Sequence, residues 1–334
     1  MFPRIRLAHL VCLLLPLLDG SMPLAAGRGT YFLTVSGENL LLNGSIVKLK
    51  GLRCSNSLVS DDETAELIGN LDVFKSYGVN TVTVYVMGSR FGDIKGYQPD
   101  GSLNAVITAR LARIIEATES RGMIVLVGCL YWSNSRAKEE LGHWKQAEAS
   151  QAIYNTVRWL KENRYTNVLV DPDNEGMACR EKGWRIVELI EAGHSANPAC
   201  LLANNVKGKP PEKADLNIHY GEKTPGKPYA ETEGTPENVP YWGEYSKRDG
   251  LYDYLNIGVY TAEMKENQKE ITRKTLERYQ GYVLASTWLQ APPPSGPNMV
   301  PGGDGSPGNP GVRWWLEYLR DSLGGPWVPP APRK

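Results

Sequence analysis

The stretch DDETAELIGNLDVFKSYGVNTVTVYV, residues 61–86, contains the unit from which most of the chain is built. Leu67, Leu71 and Phe74 recur at i, i+4 and i+7, the stripe of an amphipathic helix. Asp61, Asp62 and Glu63 put negative charge at its N-terminal end, where the helix dipole favours it. Gly78 stops the helix, and residues 79–86 then form an apolar, β-branched run that reads as a strand.

The unit repeats outward from there. Ile107, Leu111, Ile114 and Ile115 mark a second helix face, Gly122 ends it, and MIVLVGCLYW (123–132) is the next strand. Ile153, Val157 and Leu160 mark a third helix before NVLVD (167–171). A helix over about 180–195 precedes PACLLANN (198–205), followed by the strand candidates ADLNIHY (214–220) and VPYWGEY (239–245). A helix near 262–280 leads to GYVLASTW (281–288), and a last helix carries Trp314, Trp315 and Leu319. With IVKLKGLR (46–53) there are eight strand candidates.

Strands buried on both faces and separated by amphipathic helices imply parallel pairing. Eight of them predict an α/β fold, a single (β/α)8 TIM barrel over residues 27–334, in preference to an incomplete barrel or an open sheet. The alternating segment 31–53 contains Asn43-Gly44, a strong hairpin signal, and predicts an N-terminal β-hairpin plugging the barrel. The connections 205–213 and 221–237 are rich in Pro, Gly and Lys, so helices around strands five to seven should be short or missing.

At 334 residues, 41% hydrophobic and 22% charged, the chain has material for a large core. Its zero net charge gives no reason to expect nucleic acid or an anionic membrane as partner. Seventeen Tyr and nine Trp against four Phe favour aromatic surfaces with a polar handle, which suit sugars as well as cores. Arg4 and Arg6 precede the apolar run LAHLVCLLLPLL (7–18), with small residues after it. Residues 1–26 therefore read as a signal peptide, the mature chain starting near Ala26 to Arg28 in a secreted or periplasmic protein free of the membrane after cleavage. The four cysteines beyond this leader, Cys54, Cys129, Cys179 and Cys200, permit disulfides without fixing them, and Cys179 with Cys200, flanking one helix, is the first pair to consider; oligomeric state is not legible.

Chemistry concentrates after strands, which in a barrel is the C-terminal face where active sites sit. VLVDPDNEGM (168–177) ends an apolar strand in Asp171, Asp173 and Glu175. The spacing imitates a calcium loop, but its twelfth position is Lys182 where a bidentate Glu belongs, and Pro172 interrupts it. Asp173 or Asn174 is expected to cap the following helix. Glu175, at the lip of an apolar strand, has the setting of a general acid whose pKa rises on desolvation. Glycoside hydrolysis pairs such an acid with a second carboxylate about 5–5.5 Å away in retaining enzymes. Glu244, between Trp242 and Tyr245 at the end of the expected seventh strand, is the sequence candidate. The Gly303-x-Gly305-x-x-Gly308 match is interrupted by Pro307 and lacks the strand and helix of a nucleotide site, and no Gly-x-Ser-x-Gly elbow occurs.

An Asn-Glu ending the fourth strand and a Glu ending the seventh resemble the clan A glycoside hydrolases, most nearly family 5 in a divergent form. The resemblance implies Glu175 as acid/base, Glu244 as nucleophile, and Asn174 on the sugar 2-hydroxyl. It places His219 and Tyr220 near the nucleophile and Trp288 beneath the sugar, with no metal or cofactor required. The loop after strand three offers Trp132 as a further substrate contact. The chain departs from the family at Thr83, where a second-strand Arg is usual and Arg53 is the substitute, and at Gly176, which replaces the usual Pro. The implied function is retaining cleavage of O-glycosidic bonds in a poly- or oligosaccharide by two glutamates. Two alternatives stand beside it: a non-catalytic carbohydrate-binding barrel, favoured by the missing Arg, and a metal-dependent hydrolase using Asp171 and Asp173.

Overall fold

The computed structural model describes residues 28–88, 92–234, 258–285 and 302–333. A hairpin of β1 (Leu33–Ser36), β2 (Asn39–Leu42) and β3 (Ser45–Ile46) opens the chain, turning at Asn43 and Gly44, both at positive φ. The barrel strands follow as β4 (Leu49–Arg53), β5 (Thr81–Gly88), β7 (Ile124–Tyr131), β8 (Val168–Asp173), β9 (Leu201–Asn204), β10 (Leu216–Ile218), β11 (Tyr229–Ala230) and β12 (Gly281–Ala285). All eight pair in parallel, and β12 returns to β4 in the register Gly281 to Leu49. The ring closes where Glu231 bridges Tyr282, with Glu231 N–H donating to Gly281 O at 3.0 Å and Val283 N–H to Glu231 O at 2.8 Å. The fold is the expected TIM barrel. A short β6 (Ile94–Lys95) pairs antiparallel with the top of β5.

Helices α1 (Asp61–Ser76), α2 (Ala105–Glu119) and α4 (Gln146–Glu162) cover the first strands, with a short α3 (Arg136–Glu140) before α4. Ser60 and Asn104 cap α1 and α2 by accepting from Glu63 N–H and Val106 N–H, as short polar N-cap side chains do. The helix expected over 180–195 is two: α5 (Met177–Lys182) ends at Gly183, at positive φ, and α6 (Ile186–Ala196) follows. No helix separates β9 from β10 or β10 from β11. Helix α7 (Ala262–Arg278) precedes β12 and α8 (Arg313–Ser322) follows it. Among the described residues no helix is long and apolar enough to cross a membrane.

Two apolar layers result. Val82, Val84, Val125, Val127, Val168 and Val170 face outward onto the helices. Leu49, Ile124, Leu126, Leu169, Leu201 and Leu216 fill the barrel beneath the hairpin residues Leu33, Leu40 and Leu42, so the hairpin is the floor of the interior. The segment after α8 straps this floor: Trp327 Nε1 donates to Gly122 O at 3.0 Å, and Asn43 Nδ2 reaches Ala331 O at 3.0 Å.

Two expectations need correction. The seventh strand is Tyr229–Ala230, in a polar stretch with weak periodicity, and not VPYWGEY; residues 239–245 lie outside the described residues. Cys179 and Cys200 are buried free thiols. Cys179 lies past the top of β8 and Cys200 before the bottom of β9. The intervening α6 spans about 16 Å at 1.5 Å per residue, far beyond disulfide reach.

Candidate functional site at the barrel mouth

The mouth is assembled around Arg53, the last residue of β4. In the β4–β5 ladder Arg53 stands opposite Thr83, so the first strand supplies the guanidinium that the second strand lacks. It is buried and ion-paired with Glu233, and its Nη2 donates to Asn174 Oδ1 at 3.1 Å. The guanidinium lies over the rings of Tyr85 and Tyr131, 5.0 and 5.2 Å from their centroids, a cation–π setting that holds the charge away from water. Gly128 is what admits Tyr85: a Cβ there would run into the tyrosine ring.

Asn174 and Glu175 follow β8 through a sharp turn. Glu175 adopts φ 54° and Gly176 φ 62°. Proline, locked near −65°, cannot occupy position 176, which explains that departure from the family pattern. A left-handed glutamate is a strained residue of the kind that clusters at active sites. The Asp173 carboxylate anchors the turn by accepting Ala178 N–H at 3.0 Å and Cys179 N–H at 2.8 Å, the capping role expected for it. Tyr85 OH donates to Asn174 Oδ1 at 2.7 Å. With Arg53 on the same oxygen, the carboxamide orientation is fixed, and its buried Nδ2 has no protein partner among the described residues.

The opposite side comes from β10 and β11. His219, at φ 42°, stacks on Tyr220 with ring centroids 4.3 Å apart. Its Nδ1 meets Glu231 Oε1 at 2.8 Å, and Glu231 Oε1 also accepts Glu233 N–H at 2.9 Å. One carboxylate oxygen each of Glu175 and Glu233 and a ring nitrogen of His219 all lie within 4.8 Å of one another. That is the only such donor cluster among the described residues. It does not suit a cation: Glu233 already holds the Arg53 guanidinium, and a metal would have to sit beside that charge.

Burial pushes the Glu175 carboxyl up to about 8, and the neighbouring Glu233 adds to the rise against Arg53 and His219. Burial disfavours a charged His219, yet Glu231 and then Glu233 outweigh it and raise the ring to about 9. Burial likewise lifts Asp171 to about 7 and Asp173 to about 6. Asp171 accepts from Asn205 Nδ2 at 2.8 Å and Asp173 is spent on its cap, so neither faces a shared metal position. At neutral pH the mouth therefore holds two compensated pairs, Arg53 with Glu233 and His219 with Glu231, and a protonated Glu175.

Of the residues expected from sequence, Arg53, Asn174, Glu175, His219 and Tyr220 converge here. Trp132 is buried in an aromatic cluster with Trp144 and Trp184, its Nε1 donating to Glu181 Oε1 at 3.1 Å; it borders a neighbouring cleft with Lys138 and Arg180. Glu244 and Trp288 lie outside the described residues. Glu231 and Glu233, whose signal is two acids at i, i+2 directly after Tyr229–Ala230, and Tyr85 were not among the sequence candidates, whereas Tyr131 stood with Trp132 in the stretch after strand three.

Fold and site together define a TIM barrel with a compact carboxylate–imidazole–guanidinium cluster at its C-terminal mouth. No family model matches the sequence, and no curated relative matches it. Among solved structures, the barrel is similar to a family 5 glycoside hydrolase mannosidase from Rhizomucor miehei, with TM-score 0.55 and 12% identity over 86% of this chain and 96% of that chain. It is similar to the β-mannanase of the blue mussel Mytilus edulis, with TM-score 0.52 and 12% identity over 90% and 99%. A family 5 glycoside hydrolase from Bacteroides vulgatus gives TM-score 0.54 and 15% identity over 79% of this chain and 64% of that chain. At these identities the likeness is one of fold.

Proposed function

We propose that the chain is a retaining glycoside hydrolase acting on a poly- or oligosaccharide, with Glu175 as acid/base and Glu233, in place of Glu244, as nucleophile. The observation that carries this reading is the approach of Glu175 and Glu233 within 4.8 Å, the short spacing of a double-displacement pair. Glu233 is the better nucleophile of the two β11-side acids. Glu231 is saturated by three donors, whereas Glu233 keeps Oε1 without a hydrogen-bond partner while Arg53 compensates its charge.

Glu233 attacks the anomeric carbon as Glu175, protonated at neutral pH, gives its proton to the leaving oxygen. Glu175 then takes a proton from the water that releases the sugar. The unpartnered Asn174 Nδ2 is free to donate to the sugar 2-hydroxyl, a bond that strengthens as positive charge develops on the ring. Arg53 supplies the cation whose absence from the second strand favoured a binding-only barrel. The neighbours' printed activities make β-mannosides the first substrates to try. Export through the leader at 1–26 belongs to the same proposal, and N-terminal sequencing of the mature protein should begin near Ala26–Arg28.

Hydrolysis of an aryl β-mannoside and of β-mannan by wild type, Glu175→Gln, Glu233→Gln and Glu244→Gln tests the assignment. Glu175→Gln and Glu233→Gln should each lose roughly 100-fold or more in kcat, and kcat/KM of the wild type should fall as pH rises through about 8, where free Glu175 loses its proton. An inactive Glu244→Gln beside a fully active Glu233→Gln would return the nucleophile to Glu244.

A further inference from the structure

We propose that Glu231 is a positioning residue that holds His219 as a doubly protonated ring against the Glu175–Glu233 pair and pins the backbone of Glu233 with the same carboxylate. The proposal rests on the glycosidase reading above for its kinetic consequence, though not for its geometry.

Glu231 is buried and takes three donors. Oε1 accepts His219 Nδ1 at 2.8 Å and Glu233 N–H at 2.9 Å, while Oε2 lies 3.2 Å from Tyr229 OH. The Tyr229 hydroxyl is also 3.0 Å from His219 O, so its one proton is shared between the two residues it joins. A neutral His219 would leave Glu231 a buried anion without a compensating charge, the costlier state. The ring cannot swing away: Tyr220 stacks on it at 4.3 Å, and Asn205 Oδ1 accepts Tyr220 N–H at 3.2 Å. With Nδ1 committed to Glu231, Nε2 is the nitrogen left for the catalytic carboxylates.

The charged and titratable groups around the ring agree. Tyr229 faces it from β11, Glu231 and Glu233 from the segment after it, and Glu175 from the turn after β8. Arg53 of β4 stands beyond Glu233, and Lys207, after β9, lies over Tyr220 at 4.2 Å. Three acids surround His219 and the nearest cations are one residue removed, so the surroundings favour its charged form. Being positive beside Glu175, the ring limits the rise of the acid.

Nitrogen-15 NMR of histidine-labelled protein reads this directly, with His219→Asn identifying the resonance. In the wild type His219 should remain an imidazolium through pH 8. In Glu231→Gln it should turn neutral at least one unit lower, and in Glu231→Asp, which keeps the charge at shorter reach, by less. A wild-type His219 already neutral at pH 7, or a titration unchanged in Glu231→Gln, overturns the proposal. Should Glu231→Gln not fold, the wild type and Glu231→Asp decide. The titration needs no turnover, so a protein without glycosidase activity but with a charged His219 would refute the enzyme and not the pairing.

Discussion

The two sides of the barrel are built differently. β4, β5, β7 and β8 run five, eight, eight and six residues, backed by long helices. β9, β10 and β11 run four, three and two residues with no helix between them. On that short-strand side, side chains take over work that backbone ladders do elsewhere. Asn204 Nδ2 meets Asn217 Oδ1 at 3.2 Å, Asn217 Nδ2 meets Thr224 at 3.2 Å, and Asp215 accepts Leu202 N–H at 2.8 Å. The long side contributes Arg53, Tyr85, Asn174 and Glu175; the short side contributes His219, Glu231 and Glu233. Regular structure supplies the fixed half of the mouth, and a polar network supplies the anionic half.

The strongest way to break this division is at the residue that spans it. Arg53→Met leaves Glu233 buried without its cation, and chemical denaturation should show a loss of ~3–5 kcal/mol. A loss under ~1 kcal/mol would mean the two sides are held together elsewhere. Asp171, reaching from β8 to Asn205, tests the same seam with pH. Its carboxyl is raised from 3.8 to about 7 by burial, so the folded state prefers it protonated. Its contribution is complete below pH 3.8 and is lost as pH rises to about 7. Asp171→Asn cannot ionise, so its stability relative to wild type should climb over that window by up to ~4 kcal/mol and then level off. A pH-independent difference would show that Asp171 stays ionised in the fold. The smallest effect lies wholly within the long side: Gly128→Ala drives a methyl into Tyr85 and should cost ~1–3 kcal/mol. Hydrogen exchange should then quicken in β5 and β7 while β10 is unchanged; equal quickening in β10 would deny the independence of the two sides.

That division also governs what could be read from sequence. α1 with β5, and α2 with β7, declare themselves because both helix and strand are long enough to show their periods. Asn174-Glu175 was legible because it interrupts the apolar run of β8. Tyr229–Ala230 offers two residues of ladder, and no period can be detected in two residues. VPYWGEY, more aromatic, drew the expected seventh strand toward itself, away from Tyr229–Ala230. Glu231 and Glu233 look like ordinary surface acids in one dimension; only the partners brought by β4 and β10 mark them. The cysteine pairing failed for a related reason, since flanking a helix in sequence means standing at its two ends in space.

The β12 strand pairs with β4, and the strap brings Ala331 to Asn43, 288 residues away. Neither contact can form in a growing chain until those late residues have emerged from the ribosome. From Glu231 to Gly281 alone, synthesis at about 5–20 residues per second takes several seconds. Throughout that interval one edge of β4 has unpaired backbone groups, and a chaperone or another nascent chain competes with β12 for the same hydrogen bonds.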